Sequence, residues 1–303
     1  MKKLFQRTLF VVLLLAVPLF VSCRHGSQSH VTAATYEYTD DYNNTVAVPS
    51  DPQRVVSLSP AVTEIVFALG RGDLLVGRTD FCHYPPEAEQ IESVGGISNL
   101  NVEKILALAP DLVISGSMIP QKSAEHLASL GVPLVCVIEK NRFDGLYDNI
   151  AKIGGLVGRG HTADSLVAAL RSEMDADQSA QAATAVADRP TVYYVVGYGA
   201  GGNFTAGGDT FINDLIAIAG GRNIAAGVQG WSYSLEALMD QNPDYIIIRR
   251  EDSAAFCNTA PYSRLDAVRQ GRVVAIESAT IDLQIPRNIQ CVRRLREAFA
   301  SGK

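Results

Sequence analysis

Two stretches in opposite halves of the chain repeat one pattern. Residues 101–114 (NVEKILALAPDLVI) align without gaps to residues 234–247 (SLEALMDQNPDYII), with Glu, Pro and Asp identical at matched places. Each stretch is typical of a helix, then a Pro-Asp pair, then a strand. That order is also a common local pattern, but the shared Glu favours a true repeat. A unit that is repeated in both halves of the chain predicts two similar α/β lobes.

Short β-branched runs alternate with helical segments in both halves. Strands are predicted at 54–59, 74–79, 111–115 and 134–138, with helices at 61–69, 101–108 and 123–130. The second half continues with strands at 192–196, 245–248 and 273–276 and helices at 210–219, 235–241 and 286–299. Strands that are separated by helices predict parallel sheets, and therefore an α/β fold.

A long helical segment divides the two halves. Residues 143–157 are predicted to be helical, and residues 161–187 contain neither Pro nor Gly. Leu166, Leu170 and Met174 recur every four residues, which gives one apolar stripe. At 1.5 Å per residue this second helix would be about 40 Å long, enough to bridge two lobes. The predicted parts are an N-terminal lobe at 46–142, a helical connector at 143–189 and a C-terminal lobe at 190–303.

The N-terminus has the pattern of an export signal. Lys2, Lys3 and Arg7 precede an apolar run that is too short to span a bilayer comfortably. Residues 1–22 are therefore predicted to be a signal peptide. Residues 19–23 (LFVSC) resemble a bacterial lipobox, which predicts a lipid on Cys23 and an anchor on the periplasmic side of the cell membrane. A soluble secreted protein is the alternative. The polar residues 23–45 are predicted to be a tether that ends in an edge hairpin.

The charge of the chain argues against nucleic acid as a partner. The whole chain has 26 basic and 32 acidic residues, a net of −6, and loss of the three bases in residues 1–22 would leave 23 against 32, or −9. Nucleic-acid binding needs a positive surface. Acidity suits a protein that docks on basic patches of a partner.

Five cysteines are present, and Cys23 is assigned to the lipid. An even number remains, which permits disulfides in an exported protein. Cys257 with Cys291 is the favoured pair because both lie late in the chain, which leaves Cys82 with Cys136. Four free thiols are the alternative.

Signatures of catalysis are absent from the sequence. It contains no GxSxG, no P-loop and no HExxH. The Gly-rich stretches at 197–202 and 207–208 lack a dinucleotide fingerprint. His83, His126 and His161 lack metal-ligand spacing, so neither a catalytic cofactor nor a direct metal site is expected. An α/β enzyme remains the remote alternative.

Candidate ligand-binding residues lie in predicted loops. His83 follows a predicted strand, where α/β sheets bind ligands. Arg249 ends another strand, where it could meet an acidic ligand group. Aromatic-lined clefts suit large flat ligands, and four aromatic residues fall in loops of the second half: Tyr198, Phe204, Trp231 and Tyr233. His83 and Arg249 could instead be ordinary surface residues, and the four aromatic residues could be ordinary packing residues.

An ordered set of segments resembles the periplasmic-binding family for cobalamin, ferric siderophores and haem. The set is RVVSLSP at 54–60 with Thr63-Glu64, Val76-Gly77, Tyr84 to Glu87, Val94 to Gly96, 101–114, Phe204 to Gly208 with 210–224, Trp231 to Glu236, and Pro286-Arg287. The resemblance implies two α/β lobes joined by one long rigid helix, with the ligand in a cleft between them. It also implies a monomer that delivers its ligand to an ABC permease with its ATPase. Glu103 and Glu236 match the positions at which the family docks on the permease, although acidic residues there also favour a helix N-terminus.

The resemblance also suggests the ligand class. Vitamin B12-binding proteins look most similar, since Phe81 stands where they carry a cleft Tyr and Trp231 where they carry a cleft Trp. Ile97 and Gly116 replace two further cleft Trp residues, which leaves a corrinoid and a ferric siderophore as candidates. Ser59, Pro60 and Tyr84 in the matching segments complete the predicted ligand-binding residues. The chain could also be a haem carrier that uses His83 or a Tyr as iron ligand, or a surface lipoprotein that acts as a receptor or sensor.

Overall fold

The structure is a computed structural model, and it describes residues 34–181 and 184–301. The predicted signal peptide and Cys23 lie outside the described residues. No helix in the described part of the chain is both long and apolar enough to cross a membrane.

The N-terminal lobe is built on a parallel four-stranded sheet. Its elements are β1 (Thr35–Thr39), β2 (Thr45–Pro49), β3 (Val55–Ser57), α1 (Pro60–Ala68), β4 (Leu75–Arg78), β5 (Gly95–Gly96), β6 (Asn99–Leu100), α2 (Val102–Ala107), β7 (Leu112–Ser115), α3 (Gln121–Ser129) and β8 (Leu134–Cys136). The strand order is β4-β3-β7-β8. All four residues of β7 are buried, which agrees with its uninterrupted apolar sequence because helices cover both faces of such sheets.

The C-terminal lobe repeats this arrangement after two connecting helices, α4 (Gly145–Leu156) and α5 (Gly160–Gln181). Its elements are β9 (Thr191–Val195), β10 (Asn203–Phe204), α6 (Phe211–Ile218), β11 (Arg222–Asn223), β12 (Ser232–Tyr233), α7 (Leu235–Gln241), β13 (Tyr245–Arg249), α8 (Arg250–Asn258), α9 (Asp266–Arg269), β14 (Val273–Ile276), α10 (Ala279–Asp282) and α11 (Asn288–Ser301). The parallel sheet has the order β11-β9-β13-β14, so each lobe places its first sheet strand between its second and third.

The repeated Pro-Asp pair has the same structural role in both lobes. Asp111 accepts hydrogen bonds from the backbone N–H groups of Gln53 (2.7 Å) and Arg54 (3.0 Å), at the start of β3. Asp244 accepts from the backbone N–H (2.8 Å) and hydroxyl (2.6 Å) of Thr191, at the start of β9. The residues two places earlier, Ala109 and Asn242, both have positive φ, at 45° and 38°. The predicted pair of similar α/β lobes is therefore confirmed.

One apolar core runs through both lobes and the connecting helices. It includes Ile114 of the first sheet, Ile150 of α4, Leu170 and Met174 of α5, and Val192 of the second sheet. The predicted stripe on the connecting helix thus faces this core, with Leu166 packed beside it. Burial of apolar side chains on both sides of the connector joins the lobes firmly.

Two predicted boundaries are corrected. The long helix ends at Gln181 rather than at residue 187, and Val186–Asp188 forms a separate 3-10 turn. The apolar stripe ends at Met174, so packing does not extend the helix further. The predicted edge hairpin is present as β1 and β2, but it belongs to the ordered lobe, which therefore begins before residue 46. Its hairpin is attached to β8, since the Asp41 backbone N–H donates to the Cys136 carbonyl (3.2 Å) and the Asp41 carboxylate accepts from the Ile138 N–H (2.8 Å).

Candidate ligand-binding cleft

A cavity of about 550 Å³ lies between the two lobes. Most of its N-terminal wall comes from the loops after β3, β4, β7 and β8, and its C-terminal wall comes from residues 277–287, which follow β14. All of these segments leave the carboxyl ends of parallel strands, which is where open α/β sheets bind ligands. The volume is typical of a small-molecule site.

Ser59 and Pro60 line the cavity at the beginning of α1. Ser59 is the extended N-cap residue and Pro60 occupies the first turn, where a missing N–H costs nothing. Gly116, after β7, also lines the cavity. A Cβ at Gly116 would lie 2.9 Å from Glu139 Oε1 and 3.1 Å from Ser59 Oγ, so a larger residue would displace both side chains.

Aromatic and aliphatic side chains form the N-terminal wall. Phe81, Tyr84, Ile97 and Met118 line the cavity, and Phe81 is 54% exposed. An exposed aromatic ring at a cleft offers a flat apolar face to a ligand. Tyr84 makes a cation–π contact with Arg287, whose guanidinium carbon lies 3.6 Å from the centre of the ring.

His83 lines the same wall and has a defined hydrogen bond. Its Nδ1 lies 3.0 Å from Glu89 Oε1. A carboxylate only accepts hydrogen bonds, so Nδ1 carries the proton and Nε2 keeps its lone pair in the neutral ring. This arrangement suits a ring that coordinates a metal through Nε2.

Arg287 joins the C-terminal lobe to the N-terminal lobe at the cavity. Its Nε and Nη2 donate to the two carboxylate oxygens of Glu64 in α1, at 2.8 and 2.9 Å. Both side chains are buried, at 8% and 5% exposure. Burial raises the pKa of the Glu64 carboxyl, and the Arg287 guanidinium acts in the opposite direction. The bidentate geometry supports a charged pair.

Arg249 lies behind the cavity lining rather than in it. Its Nε donates to Asp282 Oδ2 at 3.0 Å, and Asp282 lines the cavity. The Tyr194 hydroxyl donates to the other oxygen of Asp282. Arg249 therefore neutralises a wall carboxylate, which is a different role from the direct ligand contact expected from its position at the strand end.

The four aromatic residues predicted in the second half separate into two groups, and the lining of the interlobe cavity contains none of them. Tyr198 packs edge-on against Phe256 and Tyr262, with ring centres 5.1 and 5.5 Å apart, and Tyr233 packs on Tyr193 at 5.6 Å. Packing therefore accounts for Tyr198 and Tyr233. Phe204 and Trp231 are exposed instead; Phe204 lies in β10, and Trp231 directly precedes its partner strand β12.

Glu103 and Glu236 occupy equivalent exposed positions. Each lies in the first turn of its helix, after an N-cap side chain that accepts a backbone hydrogen bond: Asn101 from Lys104 (2.9 Å) and Ser234 from Ala237 (3.0 Å). No ion pair involves either glutamate within residues 34–181 and 184–301. The structure thus presents two free carboxylates, one on each lobe.

The predicted disulfides are absent from the structure. Cys82, Cys136, Cys257 and Cys291 are all free thiols. Cys82 hydrogen-bonds to Thr63 and Thr79, and Cys136 to Ser115, so the two belong to different buried environments. Position late in the chain did not bring Cys257 and Cys291 together, because one lies on α8 and the other on α11.

Sequence reasoning missed the carboxylates of the cleft. Glu139 and Glu277 both line the cavity, and each follows a strand of a parallel sheet. The rule that selected His83, which looks for polar residues just after predicted strands, would also have selected these two.

A larger cavity of about 1040 Å³ lies between the β1–β2 hairpin and α3, but the N-terminal lobe alone lines it. Among the described residues, no group of three or more His, Cys, Asp or Glu side chains is arranged to hold a metal ion.

Comparison with known proteins identifies the family. Residues 55–280 match the family described as Periplasmic binding protein. The chain is 30% identical to the uncharacterised ABC transporter substrate-binding lipoprotein YvrC of Bacillus subtilis, over 96% of both chains. It is 34% identical to a cobalamin-binding protein of Halobacterium salinarum, over 91% of this chain and 77% of that protein.

A solved structure agrees with this relationship. The periplasmic heme-binding protein RhuT from Roseiflexus sp. RS-1 superposes with a TM-score of 0.72 at 26% identity, over 82% of this chain and 98% of that one. The resemblance found in the sequence is confirmed. The family match, the relatives and the two-lobed structure together establish that the chain belongs to the periplasmic binding protein family.

Proposed function

We propose that this chain captures a metal-chelate nutrient in the cleft between its lobes and delivers it to the membrane permease of an ABC importer. The observation that carries the proposal is the cavity itself, which both lobes line at the carboxyl ends of their strands. The exposed Phe81 and Tyr84 rings suit the flat face of a chelate such as a corrinoid or a ferric siderophore.

The relatives support a binding protein rather than an enzyme. One relative bears the name of a cobalamin-binding protein, and another that of a substrate-binding lipoprotein of an ABC transporter. In a binding protein the polar groups of the cleft orient a ligand that leaves unchanged. The predicted lipid on Cys23 would hold the protein at the membrane surface, close to the permease.

Glu103 and Glu236 are proposed to dock on the permease. Two free carboxylates on equivalent helices provide a two-point contact for basic residues of a partner. Such a contact fixes the orientation of the cleft over the transport pathway and steers the encounter electrostatically.

Equilibrium dialysis of the purified full chain against coloured chelates tests the ligand class. We expect saturable uptake of one chelate per chain from cyanocobalamin, dicyanocobinamide or a ferric hydroxamate siderophore. If the folded protein retained none of these chelates, and no haem, the proposed function would be wrong. Replacement of Phe81 by Ala should weaken the retention that is observed.

Haem is the second candidate, and one observation favours it. His83 lines the cavity with Nδ1 held by Glu89, so its Nε2 is available as an axial ligand. RhuT is also named as a heme-binding protein. Binding of haemin with the visible spectrum of a histidine-ligated iron, lost on His83→Ala, would support this candidate.

A further inference from the structure

Carboxylates outnumber cations on the walls of the cleft. Glu64, Glu139, Glu277 and Asp282 line the cavity, and Arg287 is the single Lys or Arg among its lining residues. Two of the four carboxylates are neutralised within the protein. Glu64 is paired with Arg287, and Asp282 is paired with Arg249 at 3.0 Å. Glu139 has no ion pair among the described residues and Glu277 only shares Arg287 with Glu64, at 3.4 Å, so these two carboxylates are left to face the ligand.

Arg287 is already committed to the protein. Its Nε and Nη2 donate hydrogen bonds to Glu64, and its Nη1 lies 3.4 Å from Glu277. Its guanidinium group also stacks over the Tyr84 ring. Only 8% of its side chain is exposed. A ligand carboxylate would have to compete with Glu64 or Glu277 for this guanidinium, and displacement of the buried Glu64 would leave its charge uncompensated.

Glu139 retains a free acceptor. Its Oε2 accepts hydrogen bonds from the Ser117 hydroxyl (2.6 Å) and from the Ser117 backbone N–H (3.3 Å). No hydrogen bond to Oε1 occurs within the described residues, and this atom lies 2.9 Å from the position that a Cβ on Gly116 would take. The neighbouring Lys140 does not compensate Glu139, because it pairs with Asp148.

Glu277 is the second acceptor that faces the cavity. It lies on the opposite wall, and its side chain is 63% exposed. Its one ion-pair contact among the described residues is the 3.4 Å approach of Arg287, which is already bonded to Glu64. A chelate in the cleft is therefore faced by an acceptor carboxylate from each lobe.

We infer that this cleft selects neutral or cationic chelates whose edges carry N–H or O–H donors, and that Glu139 and Glu277 are the residues that set this selectivity. The inference rests on the proposed function. Carboxamide, ammonium and hydroxyl groups find acceptors on both walls, and charge-assisted hydrogen bonds of this kind are strong. Carboxylate or catecholate groups meet like charge with no free cation, in a site where screening is weaker than in water.

A competition series on the full chain tests the inference. The probes are cyanocobalamin, which is neutral and rich in carboxamides, ferrioxamine B, which carries an ammonium group, haemin with its two propionates, and an anionic ferric tris-catecholate. We expect at least one of the first two to bind ten times more tightly than either anion. Equal or tighter binding of haemin or of the tris-catecholate would overturn the inferred selectivity against anionic chelates. The proposed function would still stand. Failure of all four probes to bind would instead overturn the proposed function, and this inference with it.

Matched variants give a second, independent readout. Glu139→Gln with Glu277→Gln removes both of these negative charges and keeps side-chain size, so the affinity for the anionic probes should rise at least tenfold relative to that for the donor-bearing probe. The control is Glu37→Gln, an exposed carboxylate of β1 outside the cavity lining, which should leave the ratio unchanged. An unchanged ratio in the double variant, with a native circular dichroism spectrum, would refute the assignment of these residues.

Discussion

Arg287 and Glu64 are 223 residues apart in the chain, yet two hydrogen bonds of 2.8 and 2.9 Å join them at the cleft. Glu64 belongs to α1 of the N-terminal lobe, and Arg287 precedes α11 of the C-terminal lobe. The pair therefore crosses from lobe to lobe at the site where a ligand would bind.

Removal of one partner should destabilise the protein strongly. Glu64→Ala leaves the buried Arg287 with only its 3.4 Å contact to Glu277, and removal of one partner from a buried pair costs about 3–5 kcal/mol of unfolding free energy. Urea denaturation followed by circular dichroism measures this cost. Glu173→Ala is the control, because its pair with Arg293 is about half exposed and should contribute less than about 1 kcal/mol. Equal losses in the two variants would contradict the special role of the buried pair.

Phe81 and Tyr198 should respond to substitution in opposite ways. Phe81 is an exposed ring on the cavity wall, so Phe81→Ala should weaken chelate binding about tenfold or more and change stability by less than about 0.5 kcal/mol. Tyr198 is packed on Phe256 and Tyr262, so Tyr198→Ala should cost about 1–3 kcal/mol and leave binding unchanged. Equilibrium dialysis measures the binding of both variants, and thermal unfolding measures their stability. If Tyr198→Ala lost binding and Phe81→Ala did not, the roles assigned to the two rings would be reversed.

Transport should depend on Glu103 and Glu236 while ligand affinity does not. The double substitution to Ala removes both docking carboxylates, and each change alone should reduce uptake less than the pair does. The measurement is chelate uptake in cells or in proteoliposomes that contain the cognate permease. Loss of a first-turn acidic residue costs each helix about 0.3–1 kcal/mol, so the variants should remain folded. Normal uptake by the double variant would exclude this docking mode.

The cysteines should titrate as four thiols. In a Cys23→Ser chain, denaturation without reductant should expose four groups to Ellman's reagent, since the structure contains no disulfide among the described cysteines. In the native protein the half-buried Cys257 should react first. Burial raises the pKa of the Cys136 thiol, and that of Cys291 to about 12, so both hold little of the reactive thiolate near pH 8. If only two groups reacted instead of four, the chain would contain one disulfide bond and this prediction would be wrong.

Two buried tyrosines predict a loss of stability in alkali. Burial raises the pKa of Tyr193 and of Tyr194 well above the usual 10.0. Because the unfolded chain ionises first, their contribution to stability is complete below pH 10 and falls as the pH rises beyond it. The Tyr193 hydroxyl has no hydrogen-bond partner among the described residues, so Tyr193→Phe should stabilise the protein by about 1 kcal/mol and flatten this decline. Urea midpoints at pH 8 and pH 11 measure both effects; a less stable variant would be the contrary result.

The site could be predicted only in part. His83 was found because it follows a strand, and Ser59, Pro60, Phe81 and Tyr84 through the resemblance; all five line the cavity. The aromatic residues of the second half could not be sorted in the same way. Tyr198 and Phe204 both follow a Gly-rich pattern that predicts loops, and only their neighbours in space make one a packed ring and the other an exposed one.

The sequence by itself determined the two α/β lobes, their parallel sheets and the helical connector. Those features depend on local periodicity and on Pro and Gly punctuation, which a linear pattern records directly. Only the tertiary structure decided which charges face the cleft and that the four described cysteines are free thiols. Arg249 pairs with Asp282 from another segment of its own lobe, and Arg287 pairs with Glu64 of the other lobe, so both pairs depend on how distant segments pack against the cores.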